Sequence, residues 1–178
     1  VIFSPLSNTI ALSPKNSISS NLSDYFVFPT LRSNASKEYS RGKAINKMED
    51  FVSFIQKNRY VAVIGGSNSG KTTLLKMVFE ELQMQFIVLY CGTDDITGRS
   101  QENILKELVT DTYGADSYSQ FQAIPTEKKV IIIDDLHRIS PKHLNKFLRG
   151  IEDIFGTIII SSEETSQFDI VQMVKDNI

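Results

Sequence analysis

The run Gly65-Gly66-Ser67-Asn68-Ser69-Gly70-Lys71-Thr72 follows the pattern G-x-x-x-x-G-K-[ST], and no other stretch of the chain restricts the fold so strongly. It is preceded by the apolar run Tyr60-Val61-Ala62-Val63-Ile64 and followed by a helix-like run starting at Thr72. A loop of this kind cradles phosphate only in that order. A buried strand delivers the chain to a tight turn, backbone N–H groups curl around the anion, and the positive end of a helix closes the cradle. Gly65 and Gly70 are expected where a left-handed backbone or close approach excludes a Cβ atom. Gly65, Gly66, Ser67, Asn68, Ser69, Gly70, Lys71, Thr72 and Thr73 are therefore the candidate nucleotide-binding residues. Lys71 would reach the β- and γ-phosphates as a point charge, and the Thr72 hydroxyl would ligate Mg²⁺.

The remaining periodicities are those of an α/β chain with strands and helices in alternation. Met48, Phe51, Val52 and Ile55 form a helical stripe before the strand Tyr60–Ile64. Leu74, Leu75, Val78, Phe79 and Leu82 form another after the loop. A strand is expected over Phe86–Tyr90, and a turn-rich stretch, Gly92–Ser100, leads to a helix carrying Ile104, Leu105, Leu108 and Val109. Residues 114–128 are polar and show no period. Val130–Ile133 is apolar on both faces, which suits a central parallel strand. A helix beginning at Pro141 presents Leu144, Phe147, Leu148, Ile151 and Phe155, a strand covers Thr157–Ile160, and a last helix starts near Ser166.

Residues 1–45 are of another kind, rich in Ser and Asn and interrupted by Pro5, Pro14 and Pro29. The patch Leu22–Pro29 is too apolar to be left in water, so this arm is expected to pack on the core formed by 46–178. It either packs only, or places Phe28, Pro29 and Leu31 over a nucleotide base with Arg32 nearby.

Bulk composition excludes several classes. Of 178 residues, 19 are Lys or Arg and 21 Asp or Glu, so the overall balance indicates neither nucleic acid nor an anionic membrane as partner. The single cysteine, Cys91, permits no intrachain disulfide and is expected to be a buried thiol at a strand end. No apolar run approaches the ~18 residues of a membrane span. The N-terminus has neither a basic region nor a continuous apolar segment like a secretion signal, so a cytoplasmic location is expected. The chain begins at Val1, and a piece of a longer protein is expected.

The second half of a nucleotide site is Val130-Ile131-Ile132-Ile133-Asp134-Asp135, an apolar strand ending in two carboxylates. Such a strand delivers acids to the crevice where ligands bind in parallel sheets. Asp134 is the candidate Mg²⁺ partner, directly or through water. Asp135 is the candidate to orient or deprotonate the attacking water. Its side chain is one methylene shorter than Glu, roughly 1.5 Å less reach, which predicts slow hydrolysis.

With these motifs in view, the chain resembles the additional-strand class of P-loop NTPases, related to AAA+. The resemblance implies a three-layer α/β sandwich around a central parallel sheet of order 5-1-4-3-2, with the fifth strand beyond this chain. Asp134-Asp135-Leu136-His137-Arg138-Ile139, with Thr157-Ile158-Ile159-Ile160-Ser161-Ser162 downstream, resembles the STAND group of signal-transducing ATPases, including prokaryotic defence proteins. On that likeness ATP or ADP with Mg²⁺ is the ligand, and Ser161 or Ser162 reaches the γ-phosphate or its water. A helix-capping role for Ser162 or Ser166 is the alternative. His137 either relays contact between the acidic loop and the nucleotide or is a packed loop histidine. The implied function is a slow, nucleotide-dependent switch, with fused effector and sensor domains outside this chain and assembly into a homo-oligomer. A mechanical AAA+ or DNA-loading ATPase is the rival reading.

Overall fold

The computed structural model describes residues 26–32, 44–96 and 99–163. Two short strands, β1 (Leu31–Arg32) and β2 (Ala44–Ile45), form an antiparallel ribbon. The core then runs α1 (Met48–Gln56), β3 (Tyr60–Ile64), α2 (Lys71–Leu82), β4 (Ile87–Cys91), α3 (Thr93–Ile96), α4 (Gln101–Tyr113), α5 (Ser117–Ala123), β5 (Lys129–Ile133), α6 (Pro141–Ile151) and β6 (Thr157–Ser162).

The four long strands form one parallel sheet in the order β3-β6-β5-β4. Counted from the strand before the phosphate loop, this is the expected 1-4-3-2. The place of a fifth strand, beyond β3, falls outside the described residues. The inner strands β5 and β6 are covered on both faces, which explains their apolar runs Val130–Ile133 and Ile158–Ile160, while edge strand β3 leaves Ala62 exposed. On one face Val61, Val63, Val88, Val130, Ile132 and Ile159 pack against α1 and α2. On the other, Leu89, Cys91, Ile131, Ile133, Ile158 and Ile160 pack against α4, α5 and α6.

The first of these faces also takes up the described part of the N-terminal arm. Phe26, Phe28 and Leu31 lie against it, with the Phe28 and Phe51 rings 6.3 Å apart. Leu22–Tyr25, residues 33–43 and the helix expected near Ser166 lie outside the described residues.

Three local expectations change. The strand expected over Phe86–Tyr90 runs over Ile87–Cys91. A strand buried on both sides has no alternating pattern to pin its ends, so a one-residue shift leaves no trace in the sequence. The strand expected to stop at Ile160 continues through Ser161 and Ser162, which pair in register with Val63 and Ile64. The stretch 114–128, expected to be irregular, contains α5 and a short 3₁₀ turn at Thr126–Lys128. Helix α5 buries one large side chain, Phe121, whose ring stacks on Tyr118 and meets Phe155 at 5.9 Å. One anchor creates no period, and tertiary contact decides the conformation.

Candidate functional site

The phosphate loop leaves the C-terminal end of β3 and enters α2 at its first turn. Gly70 occupies the left-handed region at φ 85°, where a side chain would be strained. Gly65 has no left-handed backbone, and a Cβ there would be crowded only by the Ser69 hydroxyl, at 2.8 Å, which can rotate away, so of the two loop glycines it is Gly70 whose conformation calls for glycine. Asn68 also adopts a positive φ of 56°, a conformation that asparagine tolerates. The Lys71 ammonium is directed across the loop, donating to the carbonyls of Gly65 and Gly66 at 3.0 and 2.8 Å. Ser67–Thr73 line one wall of a polar recess of ≈ 580 Å³, and Asp135, His137, Arg138 and Glu163 line the other.

Asp134 lies beneath that recess, buried, at the end of β5. Its Oδ2 accepts from the Tyr90 hydroxyl at 2.6 Å. Its Oδ1 accepts from the Ser161 hydroxyl and from the Asp135 N–H at 3.0 Å. Burial by itself would push this carboxyl up. Hydrogen bonds from Ser161, Tyr90 and the Asp135 N–H, with the nearby Thr72 hydroxyl adding to them, outweigh it and hold the group below its ordinary value. Asp134 is therefore an anion at neutral pH. The Thr72 hydroxyl lies near enough to help lower this carboxyl, so a hydroxyl and a carboxylate, the oxygen groups that suit a hard cation at such a loop, are neighbours, and the residues present fit Mg²⁺. Among the described residues no cluster of three His, Cys, Asp or Glu side chains could hold a metal.

Asp135 stands in the left-handed region at φ 53°, a conformation that costs a non-glycine residue about 1–2 kcal/mol. Two acceptors on its N–H, Asp134 Oδ1 and Ser161 Oγ at 2.9 Å, hold it there. The resulting turn faces the Asp135 carboxylate into the recess. The sequence reading brought the loop, Asp134, Asp135 and Ser161 into one site; in the structure Asp134, Asp135 and Ser161 are hydrogen-bonded to one another, and the loop lines the same recess as Asp135. Ser161 is fully buried below the recess, with its hydroxyl engaged by the acidic loop. Ser162 is buried at the end of β6, and its carbonyl accepts from the Gly65 N–H at 3.3 Å. His137 Nε2 lies 3.6 Å from Glu163, while Nδ1 is buried with no hydrogen-bond partner among the described residues.

Tyr90 was not legible as part of the site. It appears in the sequence as one more apolar strand residue, and only the pairing of β4 with β5 brings its hydroxyl to Asp134. Arg138 and Glu163, carried by no motif, complete the rim. The Phe28 ring packs on Phe51 of α1, and neither Phe28, Pro29 nor Leu31 lines the recess.

A parallel sheet with the phosphate loop on β3, the acidic strand end on β5 and one strand between them defines a P-loop NTPase fold. The chain belongs to the family described as AAA domain, whose model matches residues 55–168. Members of this family are generally ATPases that bind ATP or ADP with Mg²⁺. No curated protein matches the chain. Among solved structures, it is similar to a chain of Drosophila ORC bound to poly(dA/dT) DNA and Cdc6, at 13 % identity and a TM-score of 0.47. That alignment covers 71 % of this chain and 25 % of the other. A chain of Drosophila ORC bound to AT-rich DNA and Cdc6 is similar at 15 % identity and a TM-score of 0.40, covering 65 % and 46 %. The chain thus spans less than half the length of either. No helix among the described residues is long and apolar enough to cross a membrane.

Proposed function

We propose that this chain is the nucleotide-switch core of a larger protein of the STAND type, binding Mg²⁺-ATP and hydrolysing it slowly. The observation that supports this reading is the facing of Ser67–Thr73 by Asp135 across one recess, above the buried Asp134 that Tyr90 and Ser161 hold by hydrogen bonds. Loop N–H groups and the α2 N-terminus would bind the phosphates, and Lys71 would exchange its two carbonyl partners for phosphate oxygens. Bound Mg²⁺ would neutralise charge on the β- and γ-oxygens. Thr72 and Asp134 would hold it, the latter through water.

Asp135 would orient the attacking water and accept its proton. Its short side chain and its 3.9 Å approach to Arg138 both favour slow turnover. A slow hydrolytic step suits a device whose state depends on which nucleotide is bound. Nucleotide-dependent assembly, fused effector and sensor domains and a role in antiviral defence rest on the resemblance of the Asp134–Ile139 segment to STAND proteins. Titration calorimetry with Mg²⁺-ATP tests the site. Lys71→Ala is expected to lose at least about tenfold in affinity with an unchanged melting temperature, a loss of ~1.4 kcal/mol of binding energy. Equal affinity in the variant would overturn the assignment.

A further inference from the structure

The outer face of α6 carries charge of one sign. Lys142, Lys146 and Arg149 are all exposed, and at ~100° per residue they fall within an arc of about 60°, opposite Leu144, Phe147 and Ile151 in the core. At ~1.5 Å per residue the row spans about 10 Å. Helix α6 contains no Asp or Glu, whereas the exposed surfaces of α1, α2 and α4 carry Glu49 and Asp50, Glu80 and Glu81, and Glu102 and Glu107. Neither Lys142 nor Lys146 has a salt-bridge partner among the described residues, and Arg149 takes part in an intramolecular interaction.

Local electrostatics opposes this arrangement. Lys142 and Lys146 are like charges at i, i+4, and Lys142 lies in the first turn, at the positive end of the helix dipole. The exposed surface of α4, by contrast, mixes Glu102, Lys106 and Glu107. Beside the row, between α4 and α6, is a recess of ≈ 400 Å³ whose rim carries Arg99, His143 and Lys146. Arg99 is half-exposed and pairs with Glu107, and His143 Nδ1 lies 3.1 Å from the Ser140 hydroxyl.

We propose that the outer face of α6, with the adjoining Arg99–His143–Lys146 recess, docks the phosphate backbone of a nucleic-acid duplex. A duplex presents a charge every ~1.7 Å along its axis, so a row of this length meets several phosphates at once. Other polyanions fit less well. Single strands are held by aromatic stacking, membranes by inserted apolar side chains and protein partners by apolar anchors. The exposed large hydrophobics among the described residues are Val27 and Met84, neither of them on α6. Backbone contact of this kind carries no sequence preference. Because α6 directly follows the Asp134–Arg138 loop, such docking would act on the element next to the nucleotide recess. The near-zero charge of the whole chain conceals this face, since most of the balancing acids lie on other elements, with Glu152 and Asp153 following α6 at its C-terminal end.

The test is fluorescence anisotropy of the full chain with a short labelled duplex of mixed sequence, over a salt series from about 50 to about 200 mM. Wild type is expected to bind with a steep salt dependence. The double variant Lys142→Glu/Lys146→Glu is expected to lose at least about tenfold in affinity and about two units of salt slope, with ATP affinity and melting temperature retained. Lys142→Gln/Lys146→Gln is expected to lose the same slope and serves if the charge reversal does not fold. The proposal is overturned if the duplex is not bound at low salt, or if the variants bind it as tightly as wild type. Tighter binding to a single strand of equal length, to phosphatidylserine vesicles or to polyglutamate would also overturn it.

Discussion

Ser161 and Asp134 lie 27 residues apart in sequence and share a buried hydrogen bond between the ends of adjacent strands β6 and β5. The same Ser161 oxygen accepts the N–H of Asp135. Ser161→Ala would leave that N–H with one acceptor and remove a donor from a buried carboxylate, a loss of about 1–3 kcal/mol of stability. Denaturant unfolding measures it. Since Asp134 would hold Mg²⁺, the variant is also expected to bind nucleotide with weaker magnesium dependence, and Ser161→Thr to recover part of both. An unchanged unfolding midpoint would show that the hydroxyl contributes nothing.

Gly70→Ala tests the loop independently of any charge. With φ at 85°, the added Cβ is expected to cost about 1–2 kcal/mol, because nothing crowds the position and only backbone strain acts. Chemical denaturation should show the loss. Stability equal to wild type would mean that the loop relaxes to another backbone.

Tyr113 protects an open sheet edge. Its hydroxyl accepts from the Val88 N–H and donates to the Val88 carbonyl, both at 2.9 Å, on the side of β4 away from β5. Tyr113→Phe removes the partner of both backbone groups of the buried Val88 and is expected to destabilise by about 1–3 kcal/mol. A freed edge also invites strand pairing, so faster aggregation on heating is expected by light scattering.

Alkaline pH acts on Tyr60. Desolvation, and then its hydrogen bond to Glu152 at 2.6 Å, push its phenol up to about 12. A raised phenol favours the neutral, folded form. Its contribution is complete below the unfolded value of about 10 and is lost as pH rises toward 12. Melting temperatures of wild type and Tyr60→Phe should therefore differ most at or below pH ~10 and converge above it. A difference independent of pH would contradict this.

Much of the fold was readable because both halves of the site are local motifs. The phosphate loop declares the strand before it and the helix after it, and Asp134-Asp135 marks the end of a central strand. The features that were not readable depend on distant pairing. Tyr90 joins the site only through β4 and β5, α5 is held by a single phenylalanine, and the α6 charge row is averaged away in the composition. Lys129 shows the same limit. It begins β5 almost fully buried, with its ammonium 4.6 Å from the centre of the Phe121 ring, and nothing in the sequence separates it from a surface lysine.

The strand β6 lies between the two that carry the chemistry, joined to the phosphate loop through the Ser162 carbonyl and to the acidic loop through the Ser161 hydroxyl. Parallel strands repeat every ~4.8 Å, so the gap between the loops is two such intervals, about 10 Å. Substitutions in either loop can change what lines this gap but hardly its breadth. The site inherits its gauge from the hydrogen-bonded backbone, and a longer or shorter loop would not reset it.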